Sequence, residues 1–312
     1  MNTPNSIVHT VVGAGQVAKA TVAALRKRGL PVRVVHKSGT FPKHKSVDVV
    51  AADVNNLAQL IAAFKGSAVV YMCAMPAYHR WTQEFDVMMQ NVISACEANN
   101  NNLVFADNLY MYQESPNAPL TEDTLQQPVT KKGVVRVRIA NMVLDAHKVG
   151  KIKTSIARAS DFIGPGIKNS MLGERFFPQL LTGKTVRWFG KPDVAHSYTY
   201  VPDFANALVE LGVDGQGWGE TWHVPTCVTC TANEVAAQTA ALVHQTPKIV
   251  PTGAWMLRMV GIFLPAAKEM IEMLPHFESP YVVDDSKWRS RMKSRATPWP
   301  EALAATVASF KA

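Results

Sequence analysis

The stretch Ile7-Val8-His9-Thr10-Val11-Val12-Gly13-Ala14-Gly15-Gln16-Val17-Ala18 decides the fold of this 312-residue chain. Its apolar run, Ile7–Val12, is typical of a strand buried on both faces of a parallel sheet. The following segment, Val17–Arg28, has the apolar spacing of an amphipathic helix, and Gly29 is a typical stop signal. The sequence therefore predicts a strand, a glycine-rich turn and a helix within the first 30 residues.

The glycine-rich turn has the composition of a phosphate-binding loop. Gly13 permits the tight turn, Gly15 lets a pyrophosphate approach the backbone, and Ala18 lets the helix pack closely against the strand. Gln16 and Val17 stand in the first turn of the helix, where unpaired N–H groups and the positive end of the helix dipole attract phosphates. We expect these five residues to bind a dinucleotide.

Strands and helices continue to alternate up to about residue 160. Further strands are predicted at Val32–His36, Val47–Ala51, Ala68–Cys73, Leu103–Ala106 and Thr154–Arg158. Helical spacing of apolar residues separates them, including Phe85–Cys96, whose methionines we interpret as core, and a helix from about Gly133 to His147. This alternation predicts an α/β fold, a Rossmann-type doubly wound parallel sheet.

The pattern loosens after residue 160. It predicts a turn at 164–166, a helix at Phe176–Leu181, a strand at Val186–Phe189, a helix at Asp203–Leu211 and a capping box from Thr231 to Glu234. We predict that 1–165 form an NAD(P)-binding Rossmann domain to which 196–246 return. The segments 166–195 and 247–312 should form a smaller C-terminal substrate lobe.

Composition excludes several classes of protein. Apolar residues make up 47% and charged residues 18% of the chain, which is ordinary for a soluble globular protein. The net charge of +8 is spread out, and the one dense basic run, Lys287–Arg295, is interpreted as a solvated surface, so no nucleic acid is expected as a partner. The apolar stretch Ile249–Leu274 is interrupted by prolines and charges, so no membrane span is expected.

The four cysteines favour a cytoplasmic protein without a disulfide scaffold. Cys227 and Cys230 form a lone Cys-x-x-Cys pair, with Cys73 and Cys96 on distant elements. A zinc site needs further ligands at suitable spacing. No metal site is predicted.

The end of the second strand indicates which dinucleotide binds. NAD-binding folds usually place Asp or Glu there, where it accepts hydrogen bonds from the ribose hydroxyls. This chain has His36, Lys37 and Ser38 instead, which can receive a 2′-phosphate. We therefore expect NADP(H) in preference to NAD(H), the alternative being a basic surface turn. Asp53, followed by Val54 after the third strand, is placed to meet the adenine edge.

These features resemble the short-chain dehydrogenase/reductase superfamily, specifically its extended, NAD-dependent epimerase/dehydratase-like branch. The motifs that carry the resemblance are the glycine loop, Ala52-Asp53-Val54, Val70–Ala74, Phe105–Tyr112, Gly164-Pro165-Gly166 and Tyr198–Asp203. The resemblance implies that Cys73 and Ala74 pass under the nicotinamide ribose and that a C-terminal lobe holds a small-molecule substrate, often a nucleotide sugar. It also allows a homodimer.

The catalytic signature of that family is altered. When Tyr112 is aligned with the tyrosine after the family's fifth strand, Asn108 occupies the position of the catalytic Ser or Thr. The family's Tyr-x-x-x-Lys pair aligns with Lys132 and Arg136. Arg136 can still donate hydrogen bonds to ribose hydroxyls, Asn108 can orient a carbonyl oxygen, and Lys132 can donate a proton only with a lowered pKa.

A substitute proton donor must come from elsewhere in the chain. Tyr110 stands where sugar dehydratases of the family place an acid–base residue, and Tyr78 follows the fourth strand near the expected nicotinamide. Tyr110 is the first candidate, Lys132 the second and Tyr78 the third; each alternatively only lines a pocket. Three residues, Arg80, Trp81 and His196, suit an anionic or aromatic substrate or are ordinary surface.

Four functions follow from these observations. The first is an NAD(P)(H)-dependent oxidoreductase of atypical short-chain type, which moves a hydride to or from a carbonyl or alcohol carbon. The second is an epimerase or dehydratase of the nucleotide-sugar type, and the third is a non-catalytic NADP(H) sensor. A fourth, a structural partner in an assembly, rests on the apolar segment 255–274.

Overall fold

A computed structural model describes residues 8–112, 118–252 and 271–311, which fall into two compact units. Unit 1 takes the described residues of 1–111, 132–158 and 204–222, and unit 2 takes those of 112–131, 159–203 and 223–312. The strands are β1 (Val8–Val12), β2 (Val32–His36), β3 (Val47–Ala51), β4 (Ser67–Met72), β5 (Asn102–Asp107), β6 (Thr154–Arg158), β7 (Asp161–Ile163), β8 (Val186–Phe189), β9 (Ala195–Tyr200), β10 (Thr221–His223), β11 (Val228–Thr231) and β12 (Ile249–Thr252). The helices are α1 (Gln16–Lys27), α2 (Leu57–Phe64), α3 (Trp81–Asn99), α4 (Lys131–Lys148), α5 (Phe177–Leu181), α6 (Val201–Val213), α7 (Ala232–Leu242), α8 (Ser286–Arg291) and α9 (Trp299–Ser309), with short 3-10 helices at Tyr78–Arg80 and Leu274–Phe277.

Unit 1 is built on a sheet with the strand order β3-β2-β1-β4-β5-β6, and β10 follows at its edge. Each neighbouring pair from β3 to β6 is parallel. The strand order reverses between β1 and β4, which is the switch point of a doubly wound sheet. The predicted Rossmann-type α/β fold is confirmed.

One core cluster of unit 1 lies between this sheet and helices α2, α3 and α4. Phe85, Met88, Met89 and Val92 lie on the buried face of α3, so these methionines are core residues, as predicted. Helix α3 is longer than predicted. It begins at Trp81, which is buried, and it ends at Asn100, whose φ of 55° is left-handed. Trp81 is therefore an interior side chain and not a surface residue.

Unit 2 contains two small sheets, β11-β9-β7 and β12-β8. β9 pairs antiparallel with β11 and parallel with β7. The predicted capping box at the start of α7 is confirmed, because the Thr231 hydroxyl accepts from the Glu234 N–H and the Glu234 carboxylate accepts from the Thr231 N–H. Helix α6 begins at Val201 and not at Asp203, because Pro202 fits the first turn of a helix.

The division into units differs from the expected one. The chain enters unit 2 directly after β6, because β7 pairs with β9 in a separate sheet. Of the returning segment expected at 196–246, only 204–222 belongs to unit 1. The described residues of 112–131 and residues 159–165, which were expected in the nucleotide-binding domain, also belong to unit 2.

The Cys-x-x-Cys pair holds two protonated thiols. Cys227 and Cys230 are free thiols, and burial raises the pKa of each to about 12, so both are protonated near neutrality.

In the ranges that the structure describes, no helix is long and apolar enough to cross a membrane. Most of the apolar segment 255–274 lies outside the described residues.

We expect Gly13→Ala to lower the free energy of unfolding by about 2–3 kcal/mol. Gly13 has a φ of 117°, and a Cβ there would lie 3.2 Å from the Ala74 backbone nitrogen. Gly15→Ala is the matched control, since Gly15 has a φ of −72° and its Cβ would meet no atom within 4 Å. The control should cost less than about 1 kcal/mol, the loss expected at an N-cap. Denaturant unfolding measures both, and equal losses would contradict this account.

Candidate active site

A cleft opens in unit 1 at the carboxyl ends of β1 to β4. It encloses about 410 Å³ and is lined by Val12, Gly13, Val35, His36, Lys37, Ala52, Asp53, Val54, Asn55, Ala74, Met75, Pro76, Arg80, Glu84 and Met88. Its volume lies within the range of small-molecule sites. Ligands of open α/β sheets bind outside the carboxyl ends of the strands at the switch point, so the cleft has the position expected of a nucleotide site.

The glycine loop forms the β1 side of this cleft. Gly13 lies against Ala74, which follows β4. Gly15 is exposed at the start of α1, where no side chain caps the helix and no acidic residue stands in the first turn. Ala18 is fully buried, so the helix packs closely where a larger residue would push it away. The loop leaves space for an anion at an uncapped helix N-terminus.

The polar residues after β2 and β3 contact one another. The Lys37 Nζ lies 2.8 Å from the Asp53 Oδ2, and the His36 Nδ1 lies 2.8 Å from the Ser38 hydroxyl. The hydrogen bond from Lys37 and that from the Asn55 N–H hold the Asp53 pKa below its usual range. The structure thus pairs Lys37, expected to meet a 2′-phosphate, with Asp53, expected to meet adenine.

The end of β4 supplies backbone but no reactive thiol. The Cys73 N–H donates to the Val12 carbonyl oxygen at 3.1 Å. Burial raises the pKa of the Cys73 thiol to about 12, and Thr21 is its hydrogen-bond neighbour. Cys73 is therefore a neutral thiol, and any role in binding a ligand would be one of shape.

A buried carboxylate at the end of β5 joins two guanidinium groups. The Arg136 Nη1 donates to the Asp107 Oδ1 at 2.9 Å, and the Arg158 Nε donates to the Asp107 Oδ2 at 3.1 Å. All three side chains are at most 1% exposed. Burial lowers the pKa of Arg136, and the charge of Asp107 opposes that shift.

Aromatic rings enclose the same guanidinium group. The Arg136 Cζ lies 4.3 Å from the centroid of the Trp81 ring and 4.9 Å from that of Phe85. Arg136 was expected to donate to ribose hydroxyls, but its guanidinium is held between Asp107 and Trp81. The sequence reasoning missed Asp107 as the shared partner of Arg136 and Arg158. The available signal was a charge on the buried face of α4, which requires a buried counter-charge.

The three candidate proton donors lie around this cluster. The Lys132 Nζ is 4.4 Å from the centroid of the Tyr78 ring, and Lys132 is 2% exposed. Trp81 lies between the two phenols, with centroids 5.1 Å from Tyr78 and 6.3 Å from Tyr110. Asn108 uses its Oδ1 to accept from the Tyr110 N–H at 3.2 Å, so it shapes the turn that presents Tyr110.

The remaining candidates have other contacts. Tyr112 belongs to unit 2, where its hydroxyl is 2.8 Å from the His223 Nε2. His196 is also in unit 2 and is buried beside Asp161, with 2.9 Å between Nδ1 and Oδ2. Arg80 lines the unit 1 cleft in an ion pair with Glu84.

Comparison with known proteins identifies the family. The sequence model of the NAD dependent epimerase/dehydratase family matches residues 10–217, which is more than half of the chain. The chain belongs to this family. It is accordingly an NAD-dependent oxidoreductase or epimerase-like enzyme.

Solved structures share the fold of this family member at low sequence identity. MoeE5 in complex with UDP-glucose and NAD is 22% identical, with a TM-score of 0.81 over 97% of this chain and 98% of that one. The Thermus thermophilus UDP-glucose 4-epimerase complex with NAD is 19% identical, with a TM-score of 0.78 over 98% and 99%. A dTDP-glucose 4,6-dehydratase from Streptomyces venezuelae is 15% identical, with a TM-score of 0.79 over 97% and 96%. None of the curated proteins compared with the sequence matches it.

We expect Asp107→Asn to lower the free energy of unfolding of this epimerase-family protein by about 3–5 kcal/mol. The substitution leaves two buried guanidinium groups without their shared counter-charge. Asp86→Asn is the matched control, because Asp86 pairs with Arg138 at 3.0 Å on the surface, where ion pairs contribute at most about 1 kcal/mol. Urea unfolding compares the variants, and a loss at Asp107 no larger than that at Asp86 would refute the assignment.

Proposed function

We propose that this chain is an NADP(H)-dependent oxidoreductase of atypical short-chain type that moves a hydride to or from a carbonyl or alcohol carbon. The observation that carries the proposal is the cleft at the β1/β4 switch point, where an uncapped helix N-terminus and the open space at Gly15 face the same edge of the sheet. Polar side chains after β2 line that cleft. A small-molecule substrate is implied.

The residues of the cleft fit a dinucleotide. A Cβ at Gly15 would meet nothing in the protein within 4 Å, so this space is available to a pyrophosphate. Gly13, Gln16, Val17 and Ala18 would complete the loop around it. At the adenosine end, we propose that His36, Lys37 and Ser38 bind the 2′-phosphate while Asp53 and Val54 border the adenine. Cys73 and Ala74 would pass under the nicotinamide ribose.

The bound cofactor would supply or accept a hydride, and the chain would have to move the matching proton. For a carbonyl substrate, the Tyr110 phenol would donate a proton to the oxygen as the carbon accepts the hydride of the bound cofactor, and an alcohol would result. Lys132 is the second candidate donor and Tyr78 the third. Tyr78 and Tyr110 both pack against Trp81, and Lys132 lies over the Tyr78 ring. Arg136, held by Asp107, would act as a fixed positive charge beside them.

Two other functions have support of their own. The relatives solved with UDP-glucose favour a nucleotide-sugar epimerase or dehydratase, in which the hydride returns to the same substrate and the cofactor stays bound. The placement of Lys132 and Arg136 at the positions of the family's catalytic pair favours a non-catalytic NADP(H) sensor. NADP(H) that co-purifies and resists dialysis would favour the epimerase.

We also propose a cytoplasmic location and a homodimer. The location is supported by four cysteines that are free thiols. Dimerisation is a family property that this chain is expected to share, and analytical ultracentrifugation tests it.

We expect Tyr110→Phe to reduce turnover about 100-fold or more, because general acid catalysis contributes about that factor. NADPH oxidation is followed at the nicotinamide band with aldehydes, ketones, quinones and UDP-sugars, and NADPH binding should stay unchanged. Lys132→Gln is compared with Lys131→Gln, its exposed neighbour on α4. If Tyr110→Phe keeps full activity and Lys132→Gln loses it, Lys132 is the donor. Absence of turnover in the wild type, with NADPH bound, favours the sensor.

Replacing both His36 and Lys37 by Ala should weaken NADPH about 10- to 100-fold, with little effect on NADH, because two partners of the 2′-phosphate are lost. The matched control is the double change His44→Ala and Lys45→Ala. His44 and Lys45 lie in the loop between β2 and β3, are exposed, and are not part of the cleft lining. Fluorescence titration gives both dissociation constants. Equal loss of NADH and NADPH would remove the proposed preference.

A further inference from the structure

The mouth of the unit 1 cleft carries two ion pairs. Lys37 pairs with Asp53, and Arg80 pairs with Glu84. We call these four side chains, all of which line the cleft, the rim quartet. In each pair the cation is the more exposed partner, at 76% for Lys37 and 58% for Arg80, against 26% and 24% for the carboxylates.

The carboxylates of Asp53 and Glu84, which are less exposed than the cations, hold Lys37 and Arg80 in place. Asp53 is itself fixed, because its Oδ1 accepts from the Asn55 N–H at 3.0 Å while its Oδ2 faces Lys37. Glu84 stands in the first turn of α3, one turn after Arg80. A charged side chain that is already held in place loses less conformational entropy when a ligand binds it.

The two pairs also influence each other across the mouth. The Lys37 pKa is raised chiefly by Asp53 and further by Glu84, and Arg80 opposes that shift. Both ion pairs line the same cleft, and Glu84 and Arg80 act on the charge of Lys37. Lys37 follows β2, and Arg80 precedes α3, so the two cations reach the cleft from different elements.

A phosphate group suits this arrangement. Arg presents a planar fork that binds phosphate with two parallel hydrogen bonds, and Lys adds a compact point charge. Lys37 and Arg80 both line the cleft, so a dianion that contacts both gains charge-assisted hydrogen bonds that a neutral hydroxyl cannot make. A ribose 2′-phosphate, with a charge of about −1.5 to −2 near neutrality, is the group of the proposed cofactor that distinguishes it from NAD(H).

We propose that Arg80 is a second cation for the cofactor's 2′-phosphate, and that it forms a two-point clamp with Lys37. Asp53 and Glu84 position the two cations before the cofactor arrives. Arg80 was considered above as a ligand for an anionic substrate, and the rim quartet reassigns it to the cofactor. This inference rests on the proposed NADP(H) preference and adds a specificity residue to it.

Binding of two nucleotide probes tests the clamp without any catalytic assay. Isothermal titration calorimetry compares adenosine 2′,5′-bisphosphate with 5′-AMP on the full chain. We expect Arg80→Gln to weaken the bisphosphate at least about tenfold, as for a lost charge-assisted hydrogen bond, and 5′-AMP less than about twofold. Arg138→Gln is the matched control, an exposed arginine paired with a carboxylate on α3 outside the cleft.

A second variant separates charge from geometry. Arg80→Lys keeps the charge and loses the fork, so its loss should lie between those of the wild type and Arg80→Gln. If the wild type prefers the bisphosphate and Arg80→Gln keeps that preference, the clamp is refuted while the NADP(H) proposal stands. If the wild type binds both probes equally, the NADP(H) preference fails and the clamp fails with it. If neither probe binds, the proposed dinucleotide site itself is wrong.

Discussion

The carboxylate of Asp107 is the constraint on which the geometry of unit 1 depends. β5 and β6 are parallel and in a register that sets Asp107 directly beside Arg158, at the last residue of each strand. Arg136 reaches the same carboxylate from α4. Three charges buried at one point cost desolvation energy, and their mutual contacts compensate for much of it, together with the rings of Trp81 and Phe85 against Arg136. Helix α4 can therefore pack against the carboxyl ends of β5 and β6 in one position. Apolar packing alone would not specify that position so narrowly.

This constraint also positions the candidate proton donors. Lys132 lies one helical turn before Arg136, so the position of Arg136 determines where Lys132 meets the Tyr78 ring. Trp81 lies against the Arg136 guanidinium and against both phenols. The planar guanidinium of Arg136 fits between the Asp107 carboxylate and the Trp81 indole ring. A lysine at position 136 would offer only a point charge there. Asp107 and Trp81 together therefore favour an arginine at position 136.

Sequence reasoning located the parallel strands of unit 1 well, because each is a short apolar run bounded by turn residues. It placed β2, β3 and β6 at their observed ends, and it did the same for β8 of unit 2. It missed β9, although Tyr198–Asp203 was noted as a motif. The strand Ala195–Tyr200 is rich in polar residues, and His196, Ser197 and Thr199 are buried only because β7 and β11 flank it. Polar residues that tertiary pairing buries leave no apolar alternation in the sequence.

The candidate site shows the same limit for single residues. His36, Lys37 and Asp53 were each predicted from their places at the ends of strands, and all three line one cleft. What the sequence does not show is that Lys37 and Asp53 pair, or that Arg80 and Glu84 stand within electrostatic range of them. A ligand phosphate therefore meets no unpaired cation at this rim. It must compete with Asp53 for Lys37 and with Glu84 for Arg80, and the outcome depends on whether one dianion binds two cations better than two separate carboxylates do. For the proposed clamp, binding of the 2′-phosphate depends on that competition, and a count of basic residues after β2 cannot decide it.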